Sequence, residues 1–309
     1  MWNIITDSSS DLFSLEQSAD HIRFATVPFV ISVGEREFVD DESLDVPTLV
    51  DAMVRCKSAS HTACPAPGAW LEAFGDEGNV IVITISSHLS GSYNSACAAM
   101  EMLREQAPDR RVAVIDSLST GPEMCLIVRR LQACIEQGMD FDAVVAEARR
   151  GMEDSRIIFS LSSYNNLIKN GRMNRIVGLA AHTLNLWGVG IGSPEGEIAF
   201  RKMTRGSKRA VEVIVHDMKE RSGSVDTVVI DHCVNPEFAE KLRAAVLAEW
   251  PEAAITVRQT RGLCSYYAEQ HGVIVGYSGG KPEAAATSHL HHITELIHNA
   301  ARNIRGRSE

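Results

Sequence analysis

One local unit occurs three times in the first 121 residues and restricts the fold more than any other feature. It is a short β-branched run, then a loop of small hydroxyl residues, then a helical pattern. Trp2-Asn3-Ile4-Ile5-Thr6 runs into Asp7-Ser8-Ser9-Ser10-Asp11. Ile81-Val82-Ile83-Thr84-Ile85 runs into Ser86-Ser87-His88-Leu89-Ser90-Gly91-Ser92, and Arg111 to Ile115 into Asp116-Ser117-Leu118-Ser119-Thr120-Gly121. β-branched runs of this length read as buried strands. Strands alternating with helices predict a parallel sheet with covering helices. In such a sheet the loops after the strands gather on one edge, where ligands bind. Backbone N–H groups, the positive end of a helix dipole and serine hydroxyls together suit an anion. The same residues also serve as plain helix caps. For the first loop the alternatives are an anion held by hydroxyls, a metal held by Asp7 and Asp11, and a capping cluster.

The rest of the chain predicts further elements. Ile22 to Val33 is strand-rich and broken by Pro28, Glu35 to Asp41 is an acidic turn, and Val46 to Val54 is a helix. Ser58 to Ala66 reads as a rigid loop, with Pro67 starting a helix through Trp70 and Phe74. Helices follow over 122–136 and 141–152. The second half reads as strands at 157–161, 188–191, 200–203, 225–232, 254–258 and 273–276. Helices are expected over 178–187, 209–219 and 238–249, and a helical turn over 164–168. Lys169-Asn170-Gly171-Arg172-Met173-Asn174-Arg175 is a basic turn, read either as a helix end with left-handed Gly171 or as an anion clamp. A second basic cluster holds Arg201, Lys202, Arg205, Lys208 and Arg209. A last helix over 283–303 carries four histidines at spacings that match no zinc pattern. The expected organisation is an N-terminal α/β domain (1–153), a C-terminal mixed α/β domain (154–281) and a helical extension (282–309).

Composition excludes several functions. The 309 residues carry a formal charge of −10, which disfavours nucleic acid and anionic membranes as main partners, leaving at most a transient membrane-surface contact. No apolar run is long enough to span a bilayer, and the N-terminus lacks the basic region of a signal peptide. Seven cysteines without a C-x-x-C pair predict reduced thiols and a cytoplasmic location. Neither G-x-G-x-x-G nor G-x-x-x-x-G-K-[ST] occurs, so nucleotide binding by those routes is not expected. No metal or cofactor is expected.

With these motifs in order, the chain resembles the DegV family of bacterial fatty-acid-binding proteins. The matching stretches are Ile4 to Leu12, Val27-Pro28-Phe29, Thr62-Ala63-Cys64-Pro65, Ile85 to Ser92, Ile115-Asp116-Ser117, Leu167 to Arg172 and Arg205 to Ala210. The resemblance covers roughly residues 1–280. It implies two α/β domains with a long acyl chain buried in a tunnel between or inside them, and no cofactor. In the family some members work with a separate kinase subunit that phosphorylates the bound fatty acid, so the protein itself is not expected to be an enzyme. The resemblance places the carboxylate at Thr62 and Ser90, with Gly91 and Ser92 at the helix start. It places Arg172 and Arg205 near the carboxylate and, with Lys169, on the face offered to a partner; a positive patch of Lys169, Arg172, Arg201 and Arg205 on an acidic chain would suit an acidic partner.

One departure stands out. Where the family carries His followed by Gly-Pro-Gly, this chain has Tyr267 and Glu269-Gln270-His271. A tyrosine hydroxyl still bonds a carboxylate but brings no positive charge for a phosphate, and Glu269 would repel an acyl phosphate if it faced the site. His271 is the other candidate for the missing histidine. Phe29, Ile31, Leu161, Leu167, Ile176 and Leu184 are candidate tunnel residues. Burying hydrocarbon at roughly 0.8 kcal/mol per methylene would supply most of the affinity. The rival readings are a binder of another amphipathic carboxylate or lipid with no kinase role, and a serine hydrolase built on Ser90. Against the hydrolase, His88-Leu89-Ser90-Gly91-Ser92 lacks the first glycine of G-x-S-x-G.

Overall fold

The computed structural model describes residues 1–16, 18–56, 58–173 and 186–280. The first half runs through β1 (Trp2–Asp7), β2 (Ile22–Val27), β3 (Val30–Val33), β4 (Arg36–Val39), α1 (Val46–Arg55), β5 (Ser60–Ala63), α2 (Pro67–Ala73), β6 (Asn79–Thr84), α3 (Ser92–Gln106), β7 (Val112–Asp116), α4 (Gly121–Glu136) and α5 (Phe141–Asp154). The expected parallel sheet forms in the order β2-β1-β6-β7. Its two central strands, β1 and β6, carry no charge at their centres because both faces are covered. Ile5, Val80 and Val82 point to one face, against Trp70, Phe74, Ala96 and Leu103. Ile4, Ile81 and Ile83 point to the other, against Met124, Ile127, Val128 and Leu131.

The second half runs through β8 (Ser155–Leu161), α6 (Asn165–Lys169), β9 (Leu186–Gly192), β10 (Ile198–Arg205), α7 (Ser207–Arg221), β11 (Thr227–His232), α8 (Pro236–Glu249), β12 (Ala254–Gln259), α9 (Gly262–Ala268) and β13 (Val273–Ser278). These strands form a mixed sheet, β10-β9-β8-β13-β11-β12, in which only β11 and β12 pair in parallel. Ile214, Met218, Phe238 and Leu242 of α7 and α8 cover one face. On the other face lies α4, which packs on β13. The approach is close: a Cβ at Gly276 would lie 2.5 Å from the Glu123 backbone nitrogen. Helix α4 therefore lies between the two sheets and belongs to both.

Four segments differ from the sequence reading. The acidic turn at Glu35–Asp41 contains β4, and the rigid loop contains β5; both pair antiparallel with β3 in a small third sheet. Each has four residues of largely polar character, too few for an alternation signal. Helix α9 was not expected, since seven residues hold barely two helical turns. Leu186 and Trp187, read as the end of a helix, open β9. The remainder of that helix, and the histidine-bearing helix over 283–303 with the 282–309 extension, lie outside the described residues. Among the described residues no helix is long and apolar enough to cross a membrane.

Candidate functional site

The loops after β1, β6 and β7 meet at the C-terminal edge of the parallel sheet, but they do different work. The first is filled by its own hydrogen bonds. Asp7 Oδ1 accepts from the Ser9 backbone and hydroxyl, and Oδ2 accepts from the Ile85 backbone at 3.0 Å and the Ser92 hydroxyl at 2.6 Å. Ser10 bonds Thr6, and the Ser8 hydroxyl accepts from the Phe29 backbone. All three serines are buried. The capping reading therefore fits this loop, and the anion and metal readings do not. Among the described residues no cluster of His, Cys, Asp and Glu could hold a metal. Burial raises the Asp7 carboxyl above the usual range, with the serine donors opposing it. Ser92 is corrected as a ligand residue by the same contacts, because its hydroxyl is committed to Asp7.

The second loop lines a cavity between the two sheets. Its polar end is lined by Thr62, Cys64, Ser90, Gly91, Arg172 and Tyr267. Strand β5 carries Thr62, so the strand missed in the sequence is the one that sets this hydroxyl. Helix α9, also missed, brings Tyr267 to it: the two hydroxyls lie 2.9 Å apart. The neighbouring Tyr266 is fully buried, meets Tyr267 edge-on and donates to the Ser60 hydroxyl at 2.8 Å. Asn170 donates to the Tyr266 hydroxyl. These contacts tie α9, β5 and the end of α6 together. Ser90 accepts from the Ser92 backbone N–H. Among the described residues no imidazole hydrogen-bonds Ser90, the contact a serine hydrolase would use.

Arg172 follows Gly171, which sits in the left-handed region at φ +74°. The Arg172 backbone N–H bonds the Leu167 carbonyl and that of Gly171 bonds Ile168, a closed helix end as the sequence suggested. Its side chain then reaches across to the other half, donating through Nε to the Leu89 carbonyl at 2.9 Å. Nη1 donates to the Asn170 carbonyl, and the guanidinium stands with Ser90 at the polar end. It is the one cation among the described residues lining the polar end. Cys264 forms part of the wall; burial, and then the charge of Asp11, push its thiol well above the usual range.

The cavity continues into an apolar end. Leu89, Thr120, Leu167, Ile198, Tyr267 and Ile274 border both ends, and Ile157, Phe159 and Leu161 line the far one. Of the candidate tunnel residues, Phe29, Leu161 and Leu167 line it. Ile31 does not: it is fully buried among Val33, Phe38 and Leu49 beneath the small sheet. Ile176 and Leu184 lie outside the described residues. The sequence reading missed Thr120, although it ends the third hydroxyl loop, and the wall residues Ile85, Ile198 and Ile274.

The remaining candidates are placed as follows. Arg205 is exposed at the end of β10 and does not border the cavity, a correction to its expected ligand role. Arg201 is exposed and lies 3.3 Å from Asp217, and Lys169 is exposed at the end of α6. Glu269 does not face the cavity. Its carboxylate accepts from the Ser163 hydroxyl and the Asn166 backbone, capping α6. His271 sits in a left-handed turn (φ +76°) at the surface and does not border the cavity.

Residues 1–277 match the model of a family described as uncharacterised proteins of the DegV family. A DegV domain-containing protein of Streptococcus pyogenes is 37% identical over 276 residues, covering 89% of this chain and 99% of the relative. Among solved structures, the Streptococcus pneumoniae fatty acid kinase (Fak) B3 protein loaded with linoleic acid superposes with a TM-score of 0.87 at 36% identity. That match covers 90% of this chain and 99% of the other. A DegV family protein of Eubacterium eligens loaded with heptadecanoic acid gives a TM-score of 0.86 at 34% identity, over 90% and 100% of the two chains.

Proposed function

Because the chain belongs to the DegV family, we propose that it binds a long-chain fatty acid, carboxylate at the polar end of the cavity and acyl chain in the apolar end. The carrying observation is the meeting of Thr62, Ser90, Tyr267 and Arg172 at one end of an otherwise apolar cavity. A carboxylate leaving water needs donors to replace it. Thr62, Tyr267 and Ser90 offer hydroxyls, Gly91 a backbone N–H, and Arg172 a charge-assisted bond. Fatty acids in the two related structures support the ligand class.

The protein works without turning over its ligand and presents the carboxylate to a separate kinase subunit in the cytoplasm. The name of the Streptococcus pneumoniae relative supports the partner. Exposed Lys169, Arg201 and Arg205, with Arg172 at the cavity, would meet an acidic surface. The domain division is 1–153 and 154–281, with α4 of the first packed on the sheet of the second. The test uses delipidated protein and a fluorescent fatty acid. Binding that weakens in the double variant Thr62→Ala, Ser90→Ala supports the reading. Unchanged binding in that variant overturns the assignment of the carboxylate end.

A further inference from the structure

We infer that Leu118 and Ile157 form the end-stop of the acyl cavity and set the longest chain this protein accepts. The inference rests on the fatty-acid reading above. The apolar end of the cavity and a second, wider cleft share Leu118, Ile157 and Gly192 as lining residues. The wall between them is thus one side chain thick. Beyond it the surroundings change character, with Arg149, Arg156 and Arg221 lining the second cleft. A methyl terminus that passed the wall would leave apolar contacts for a polar, open space.

The backbone of Leu118 shows that this side chain is held in place at a cost. Its φ is +51°, a region that a leucine rarely adopts. Three contacts enforce it. Asp116 Oδ1 accepts from the Leu118 backbone N–H at 3.0 Å and from Ser87 N–H at 3.1 Å. The Ser119 carbonyl accepts from Ser86 N–H at 2.8 Å. The tip of the β9–β10 hairpin presses on the residue from the other half. Gly196, at φ +84°, lies so close that a Cβ there would be 2.9 Å from the Leu118 Cα. The Ser86 hydroxyl donates to the Gly196 carbonyl at 2.7 Å and fixes that contact. Ile157 closes the other side, packed flat on Gly192, where a Cβ would meet its Cγ2 at 2.6 Å. A strained leucine clamped by two loops and facing an isoleucine is a plug built from both halves of the molecule.

Trimming the plug should lengthen the cavity. Leu118→Ala removes about three carbons' worth of side chain, room for about two more chain methylenes. The experiment measures competition by straight-chain saturated acids of increasing length on the full, delipidated chain, for wild type, Leu118→Ala and Ile157→Ala. Leu118→Asn serves as a second plug variant, because asparagine tolerates the left-handed backbone and keeps the loop folded. The wild type should show a length optimum with a sharp fall above it. In Leu118→Ala and Ile157→Ala the optimum should move up by about two carbons, with roughly tenfold better binding of the longer acid relative to the wild-type optimum. Identical length profiles in wild type and all three variants would overturn the end-stop while leaving the ligand class intact. A wild type that binds no acid of any length would overturn the fatty-acid reading, and the end-stop with it.

Discussion

At the scale of single residues, the proposed carboxylate end joins the hydroxyl pair of Thr62 and Tyr267 to the cation of Arg172. The two hydroxyls come from positions 205 residues apart and lie 2.9 Å from one another. Without a ligand each satisfies the other; with one, both can turn a donor to the carboxylate. Tyr267→Phe should therefore weaken fatty-acid binding about fivefold, the worth of one neutral hydrogen bond, in a direct titration. Arg172→Ala should cost more, about ten- to hundredfold, because its bond to a carboxylate is charge-assisted. If Tyr267→Phe weakened binding more than Arg172→Ala, the cation would not be the main anchor. A second residue-scale expectation concerns Asp11. Its carboxyl is raised well above the usual range by burial and then by the charge of Asp231, with Arg258 opposing. The folded state therefore holds a proton that the unfolded chain releases. The resulting stabilisation is complete below the unfolded value of 3.8 and is lost as pH rises through the raised one. Thermal unfolding measured across pH should show a flatter profile in Asp11→Asn than in wild type on the alkaline side of that value. Parallel profiles would remove Asp11 from the pH dependence.

Among the elements, the legibility of the sequence divides by length and pattern. The long strands β1, β6 and β7 were readable because each is an apolar run with a turn after it, and so were α3, α4 and α5 with their periodic faces. The hydroxyl loop at Ser90 borders the polar end of the cavity, whereas the loop at Ser8–Ser10, alike in sequence, does not. Only the buried Asp7 that absorbs its donors separates the two. Strand β5 and helix α9, which carry Thr62 and Tyr267, were not legible as elements. Neither has an internal signal, because both are held from outside. Helix α9 is the clearer case. Asp40, on the far side of the chain, accepts from the Gly262 and Leu263 N–H groups at 2.7 and 2.9 Å and caps the helix in trans. The Asp40 carbonyl also accepts from the buried Arg261, whose charge lies 3.7 Å from the Asp40 carboxylate. Asp40→Ala removes the carboxylate beside that guanidinium and leaves two helix N–H groups unpaired. It should destabilise the protein by about 3–5 kcal/mol in denaturant titration, and Asp40→Asn by clearly less. Equal losses in the two would mean that the charge is irrelevant and only the capping geometry matters.

On the scale of the whole molecule, the cavity exists because α4 is shared. One of its faces covers the parallel sheet, and its N-terminal turn abuts β13 of the mixed sheet. The edge of the first sheet is thereby held against the second, and the space between them is lined from both. A ligand there should act as a bridge. Saturating fatty acid should raise the unfolding temperature of the delipidated protein as binding to the folded state alone requires. The most direct measurement of the central claim is native mass spectrometry of the protein as purified, followed by organic extraction of whatever it holds. The expected result is a mass increment of one fatty acid per chain, lost on delipidation and regained with added palmitic or oleic acid. A protein that carries no lipid and takes up neither acid would contradict the claim.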